Sequence, residues 1–474
     1  MPSTDWLDGL ESQLSSGSVL RPERDDLAAY EREWRGRYHS QALAVLRPDT
    51  TDSLSAMVQA CTAHGVAMVP QGGNTGLVGG AVTQGERSQV IIQLGRMKAI
   101  RRVDSASSMM VAEAGVPVSV AQDAANAHGL RLAVDLASSQ SATIGGILAT
   151  NAGGVLTVSF GNARAQVLGL EAVLADGRVW HGLSEVRKDN TGYALKDLMV
   201  GSEGTLGLIT AAALALVPAP KARATAWVGV ASVDQALALL QGVRSALSDH
   251  LRAFELMPAL AVELVIKARA EQGLATRAIL DEASPWQVLI SIDSADADAP
   301  LEARLMETLM AIYEAGGVVD VVIAQSQTDE QAMWMIREGI SDAQQVEGVA
   351  LKHDISVPTP AFAEFIDQTH TGLQARVPGV RLCAFGHLAD GNLHFNLVPP
   401  IGQPEALVEH EAAIVEYVLD QVDAFQGSMA AEHGVGLLRR DALAERADPA
   451  KLWALGQIKQ ALDPHGLFNP GKVI

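Results

Sequence analysis

The residues best placed to do chemistry stand in AFGHLADGNLHFN (384–396) and AEHGVG (431–436). His387 and His394 flank a turn dipeptide, Asp390-Gly391, whose glycine accepts the positive φ that tight hairpin loops demand. With those two residues as the loop, His387 faces His394. Directly opposed Cβ atoms lie ~4.5–5.5 Å apart, so both imidazoles leave one face of the ribbon. Asn396, two residues on, joins them. The other face (384, 386, 388, 393, 395, 397) is apolar and suited to a core. Two imidazoles and a carboxylate make an open metal site with positions left for substrate. Glu432 is the expected carboxylate, which gives His387, His394 and Glu432 as the metal set. His433 then stands alongside as a proton acceptor of near-neutral intrinsic pKa. Two unrelated histidines on an exposed hairpin are the plainer alternative. Asn396 and the Glu-His pair in glycine-rich surroundings favour the metal.

These groups need a scaffold, and the chain signals one. A helix starts near Thr51, shows an apolar stripe at 54, 57, 58 and 61, and ends at Gly65. A strand at 66–69 follows, then Pro70 and QGGNTGLVGG. A similar helix-glycine-strand unit spans 118–134. Strands are expected at 90–94 and, as a hairpin about Asp176-Gly177, at 168–175 and 178–181. The alternation lacks the regular βαβ spacing of a Rossmann sheet. Pro218-Ala219-Pro220 marks a domain boundary. Beyond it, 228–230, 287–292 and 318–323 read as strands. A long helix is expected at about 404–425 and a last one at 449–462.

Composition narrows the function classes. The 474 residues are 48% apolar and 19% charged, with net charge −20, so the chain is globular and its charge disfavours nucleic acid and anionic membranes. No run approaches the ~18 apolar residues of a membrane span. The acidic, polar MPSTDWLDGLESQL does not read as a signal peptide. Two distant cysteines, Cys61 and Cys383, without a CxxC pattern suit a reducing compartment, and a cytoplasmic location is expected.

Three glycine-rich segments point to a large phosphate-bearing cofactor. PQGGNTGLVGG (70–80) offers closely spaced N–H groups without side-chain hindrance. It lacks the GK[ST] ending of a P-loop and the helix-opening G-x-G-x-x-G of a dinucleotide fold. SSQSATIGG (138–146) with ATNAGG (149–154), and GSEGTLG (201–207), extend the theme.

With these motifs in order, the chain resembles the FAD-binding oxidoreductases of the vanillyl-alcohol oxidase / p-cresol methylhydroxylase superfamily, and more narrowly their D-2-hydroxyacid dehydrogenases. PQGGNTGLVGG, IGGILATNAGG, GSEGTLG, GHLADGNLHFN, AEHGVG and LFNPGK carry the likeness from about residue 38 to 474. It implies an α+β chain. A two-part FAD-binding domain (1–219) precedes an α+β substrate domain with an antiparallel sheet (220–425). A C-terminal segment (426–474) returns to the flavin. By the same likeness Pro70, Gly72, Gly73, Asn74, Thr75 and Gly76 wrap the FAD pyrophosphate. Ser141, Thr143, Ile144, Gly145, Ala149, Asn151 and Gly153 line the cofactor. Gly161, Val167, Glu203, Gly204 and Ile209 add contacts, and Asn469 comes back from the C-terminus. Residues 71–80 contain neither His nor Cys, so FAD is expected to be noncovalent.

The likeness also implies that Arg337, Ser341 and Lys352 grip the second carboxylate of a dicarboxylate substrate, Arg337 bidentately. Ser341 stands where such relatives usually carry Thr. The expected reaction is metal-assisted oxidation of a D-2-hydroxy acid, D-2-hydroxyglutarate first and D-lactate or glycolate as the alternative. His433 acts as base and Asn396 holds the substrate. An electron-transfer flavoprotein or a quinone-linked carrier is the implied acceptor. Zn²⁺ is the first choice of metal, with Mn²⁺ and Co²⁺ also suited. A homodimer is the ordinary prior.

Overall fold

The structure is a computed structural model that describes residues 5–85 and 87–474. The first four residues of the tract read as no signal peptide lie outside the described residues. The chain forms two compact units: Met1–Gly154, Phe160–Ala219 and Glu432–Ile474 make the first, and Val155–Ser159 with Pro220–Ala431 the second.

Among the described residues, the first unit holds two larger sheets and a two-stranded pair, Leu130–Arg131 with Val217–Pro218. In one, Val45–Leu46, Gln89–Gln93 and Ala67–Gln71 run parallel, and Val19–Leu20 adds an antiparallel edge. The helix Thr51–Ala63 packs its stripe Leu54, Met57, Val58 and Cys61 against that sheet. Its cap is Thr50, one residue earlier than the expected start: the Thr50 side chain accepts from Ser53 N while Ser53 Oγ answers it, a capping box. The C-terminus completes the layer, because Met68 N donates to Leu467 O and Asn469 N to Met68 O, both at 2.8 Å.

The second sheet is antiparallel, in the order Ile100–Asp104, Met109–Glu113, Leu208–Ala215, Val167–Val173, Val179–Gly182. The expected 168–181 hairpin is therefore present. The unit expected at 118–134 keeps its helix, Val118–Asn126, but only Leu130–Arg131 is strand. Gln166 Nε2 and Gln122 Nε2 donate to the carbonyls of Ala133 and Val134, so side chains replace a ladder there.

The second unit is built on seven antiparallel strands: Asp320–Ile323, Ala222–Val230, Trp286–Ser294, Leu251–Pro258, Arg381–His387, Asn392–Val398, Asp354–Ser356. Strand alternation sends Phe254, Leu256, Ala384 and Phe395 into one core, beneath Val233–Leu247, Leu301–Glu314, Phe362–Arg376 and Glu411–Ala424. Trp227, Met257, Cys383 and Phe385 face the other, beneath Ala259–Glu271 and Gln327–Ala343. The helix expected from 404 begins only at Glu411. Pro404 O accepts from Val349 N at 2.8 Å, which holds that stretch as turns. Among the described residues, no helix is long and apolar enough to cross a membrane.

Candidate active site

In the first unit the three glycine-rich segments and the C-terminal turn converge. A Cβ on Gly73 would fall on the Ser141 carbonyl oxygen, and one on Gly72 would strike Thr143 Oγ1. Pro70 presses on Gly204, while Glu203 N donates to Ala149 O at 2.8 Å. Gly201 N donates to Leu148 O at 2.9 Å, and Asn151 Cβ approaches Gly201. Asn469 Nδ2 donates to Gly80 O (2.9 Å) and Glu203 O (2.8 Å), tying the chain end to both loops. Four non-glycine residues here, Asn74, Asn151, Glu203 and Asn469, hold left-handed φ of 43–55°. Such strain persists only where the surroundings enforce it.

This cradle fits a flat, phosphate-bearing cofactor. Among the described residues, the N–H groups of Gly73, Asn74 and Thr75 donate to no protein acceptor. Gly76 faces open space. The Oδ1 of Asn469 is buried without a partner, although its Nδ2 is fully engaged. Not every expected cofactor residue joins the loops. Val167 and Ile209 lie in the apolar core beneath them with Ile144, Gly153 is buried, and Gly161 (φ +72°) packs on Ala165.

Glu203 does more than line this cradle. Its carboxylate accepts from Val435 N (2.7 Å) and Gly436 N (2.9 Å), so the loop carrying Glu432 and His433 is fixed to the 201–204 turn. Burial pushes the Glu203 carboxyl above its ordinary pKa, and the two backbone donors offset only part of that.

The histidines sit in the second unit. The hairpin register differs from the expected one by two residues: Phe385 opposes His394, Cys383 opposes Asn396, and the loop is Leu388 to Gly391. Asp390 N and Gly391 N both donate to His387 O, because the end of the first strand leaves its hairpin partner and pairs His387 with Glu255. A shift of two keeps every side chain on its face. The imidazoles therefore still meet, with ring centroids 6.0 Å apart. The face they share is also covered, not open as a one-sided platform: His387 is buried, and the Phe385 ring lies tilted against His394, 4.9 Å between centroids.

Behind His387 stands a residue the sequence reading missed. Glu255, 1% exposed, receives His387 Nδ1 on one oxygen (2.7 Å) and Arg337 Nε and Nη2 on the other (2.8 and 2.7 Å). Burial raises its carboxyl, but the charges of His387 and Arg337 outweigh that and hold it at about 2. Arg337 also lies over the Phe385 ring at 4.9 Å. The guanidinium expected to grip substrate is thus already gripped on one edge. Lys352 Nζ donates to Ser341 O at 2.7 Å, which brings that pair together. Asn396 Oδ1 accepts from His353 N (3.2 Å), and Asp354 opposes His394 with Oδ1 3.9 Å from its Nδ1. The missed signal was visible in RAFELMP: a lone acid at the centre of an apolar strand must have a buried partner.

Comparison with known proteins decides the class. Residues 219–473 match the FAD linked oxidases, C-terminal domain, and residues 42–182 an FAD binding domain. The chain belongs to the FAD-linked oxidase family. It is similar to the D-2-hydroxyglutarate dehydrogenase, mitochondrial, of Danio rerio, 34% identical over 471 residues that cover 98% of this chain and 85% of that one. The D-2-hydroxyglutarate dehydrogenase of Xanthomonas citri is 33% identical over 455 residues (96% and 94%). A putative mitochondrial D-lactate dehydrogenase of Schizosaccharomyces pombe is 31% identical over 475 residues (98% and 88%). In structure, p-cresol methylhydroxylase superposes with TM-score 0.76 at 16% identity, over 99% of this chain and 97% of that one. The fold is thus that of p-cresol methylhydroxylase, and this FAD-linked oxidase is an FAD-dependent dehydrogenase acting on a CH–OH donor.

Proposed function

We propose that this FAD-linked oxidase converts a D-2-hydroxy acid to its 2-oxo acid, D-2-hydroxyglutarate to 2-oxoglutarate fitting best, with hydride passing to flavin N5 and a divalent cation assisting. The observation that carries the metal is the Glu255–His387 contact. A carboxylate on Nδ1 fixes the tautomer and makes Nε2 the ligating nitrogen, the usual support of a metal-bound histidine. His394 is the second ligand and Glu432 the third. Ser428, four residues before Glu432, pairs with Ser356 on the edge strand of the histidine-bearing sheet.

Bound FAD supplies the two-electron acceptor, and a bound cation, Zn²⁺ first, supplies Lewis acidity toward the substrate hydroxyl. The chain's own residues do the rest. His433 takes the hydroxyl proton, held in its loop by Glu203. Asn396 orients the reacting end of the substrate. Arg337 and Lys352, with Ser341, hold the distal carboxylate. FAD is noncovalent in this proposal, supported by the absence of His and Cys from residues 71–80. An electron-transfer flavoprotein or a quinone-linked carrier would be the electron acceptor in this proposal, and the enzyme would work as a homodimer. Both cysteines are buried and unpaired, which supports a reducing compartment such as the cytoplasm.

A D-lactate or glycolate dehydrogenase is the second reading. It is favoured by the internal partner of Arg337 and by the name of the S. pombe relative. Anaerobic titration separates the two. D-2-hydroxyglutarate should bleach the flavin at lower concentration than D-lactate, and the reverse order selects the monocarboxylate. His387→Ala should keep FAD and lose turnover; a variant that stays active removes the metal from the mechanism.

A further inference from the structure

The contact network around Glu255 reaches beyond one histidine. Glu255 occupies the middle of Leu251–Pro258, directly across the sheet from His387. Phe254 and Leu256 point into the opposite core, so strand alternation puts the carboxylate on the histidine face. Arg337 arrives on that face from the helix Gln327–Ala343. An ion this buried persists only with several donors, and Glu255 has three, one on Oε1 and two on Oε2. The two oxygens are divided: one serves the imidazole, the other the guanidinium.

Resting on the metal-assisted reading above, we propose that Glu255 is a positioning residue that couples cation binding to recognition of the substrate's second carboxylate. Its Oε1 sets the tautomer and basicity of His387. Its Oε2 takes Nε and Nη2 of Arg337 and so turns the other guanidinium nitrogen, Nη1, toward the distal carboxylate. The packing of Arg337 on Phe385 fixes the plane of that presentation. A change at Glu255 therefore moves both properties at once, whereas a change at either partner moves one.

Glu255→Gln keeps the volume but can accept through only one oxygen, and its amide nitrogen opposes one of the donors. In the FAD-loaded full chain, Zn²⁺ affinity is measured by chelator competition, FAD content by absorbance, and kcat/KM on D-2-hydroxyglutarate and D-lactate at saturating Zn²⁺. Glu255→Gln should retain FAD, weaken Zn²⁺ about 10–100-fold, and lower the ratio of the two kcat/KM values even when metal is saturating. Arg337→Met should lower that ratio and leave Zn²⁺ affinity near wild type. Glu255→Asp, which keeps the charge, should shift both quantities in the same direction by less, and it supplies the test if Glu255→Gln does not fold. Wild-type Zn²⁺ affinity in the Glu255 variants, or a selectivity ratio that does not move, overturns the coupling. Failure of the metal reading shows differently: His387→Ala would then bind Zn²⁺ as tightly as wild type.

Discussion

The two units build their candidate sites from different materials. The cofactor cradle is made of backbone: glycines that admit close approach, strained left-handed turns and, among the described residues, N–H groups that donate to no protein acceptor. The histidine wall is made of side chains, with a buried carboxylate, a guanidinium and two imidazoles packed into one electrostatic unit. A backbone site fails sterically, through a Cβ added where loops touch, as at Gly72 and Gly73. A side-chain site fails electrostatically, through a lost charge of unchanged volume. The cradle should therefore tolerate isosteric changes of polarity and be destroyed by a methyl group, and the wall should behave the opposite way.

Gly73→Ala is the most severe test of that contrast. The new Cβ would land on the Ser141 carbonyl, a backbone atom that cannot rotate aside. The loop must shift, and the purified variant should carry almost no FAD while its far-ultraviolet circular dichroism stays close to wild type. A normal flavin spectrum would mean that the cradle is looser than its geometry implies. Glu203→Gln is next. It retains shape but loses one acceptor for the Val435 and Gly436 N–H groups, a loss of about 1–3 kcal/mol where such donors are buried. FAD content should hold while kcat falls about tenfold, with KM little changed, because the affected loop carries His433. Of similar size is Lys352→Met. The ammonium is anchored on Ser341 O, so its removal should raise KM for D-2-hydroxyglutarate by about tenfold and leave D-lactate nearly untouched, since a charge-assisted hydrogen bond is worth ~1.5–3 kcal/mol.

How much of this was legible in the residue string follows the same division. That the 70–76, 141–146 and 201–204 segments would converge was legible, because glycine spacing is a local property, whereas the core placement of Val167 and Ile209 was not. The wall was half legible. His387 and His394 share a face in either register, since a slip of two residues preserves alternation. The register itself was not readable, because it depends on Leu251–Pro258, some 130 residues earlier, capturing the end of the hairpin's first strand. Glu255 escaped for the same reason: its partners are brought to it by sheet order, not by spacing. The helix starts at Thr51 as expected, but Thr50 caps it through Ser53, while the Thr51 hydroxyl donates to Glu171. That swap shows how a one-residue choice is settled by a contact 120 positions away.

Glu171 gives the finest test, because it is a side-chain-built carboxylate inside the backbone-built unit. Burial pushes its carboxyl up, but Arg101, Thr51 and Thr210 together hold it down at about 2, below the ordinary 4.5. Its stabilisation is therefore complete above pH 4.5 and lost as pH falls toward 2. Glu203, served only by backbone N–H groups, is shifted the other way. Its contribution is complete below pH 4.5 and is lost as pH rises through its raised value. Urea unfolding of wild type, Glu171→Gln and Glu203→Gln across pH 3–8 should give opposite slopes. Relative to Glu171→Gln, wild type loses its advantage in acid; relative to Glu203→Gln, wild type gains one. Parallel slopes would mean that both carboxylates feel the same environment, and the distinction between a site held by charges and a site held by backbone would not extend to single residues.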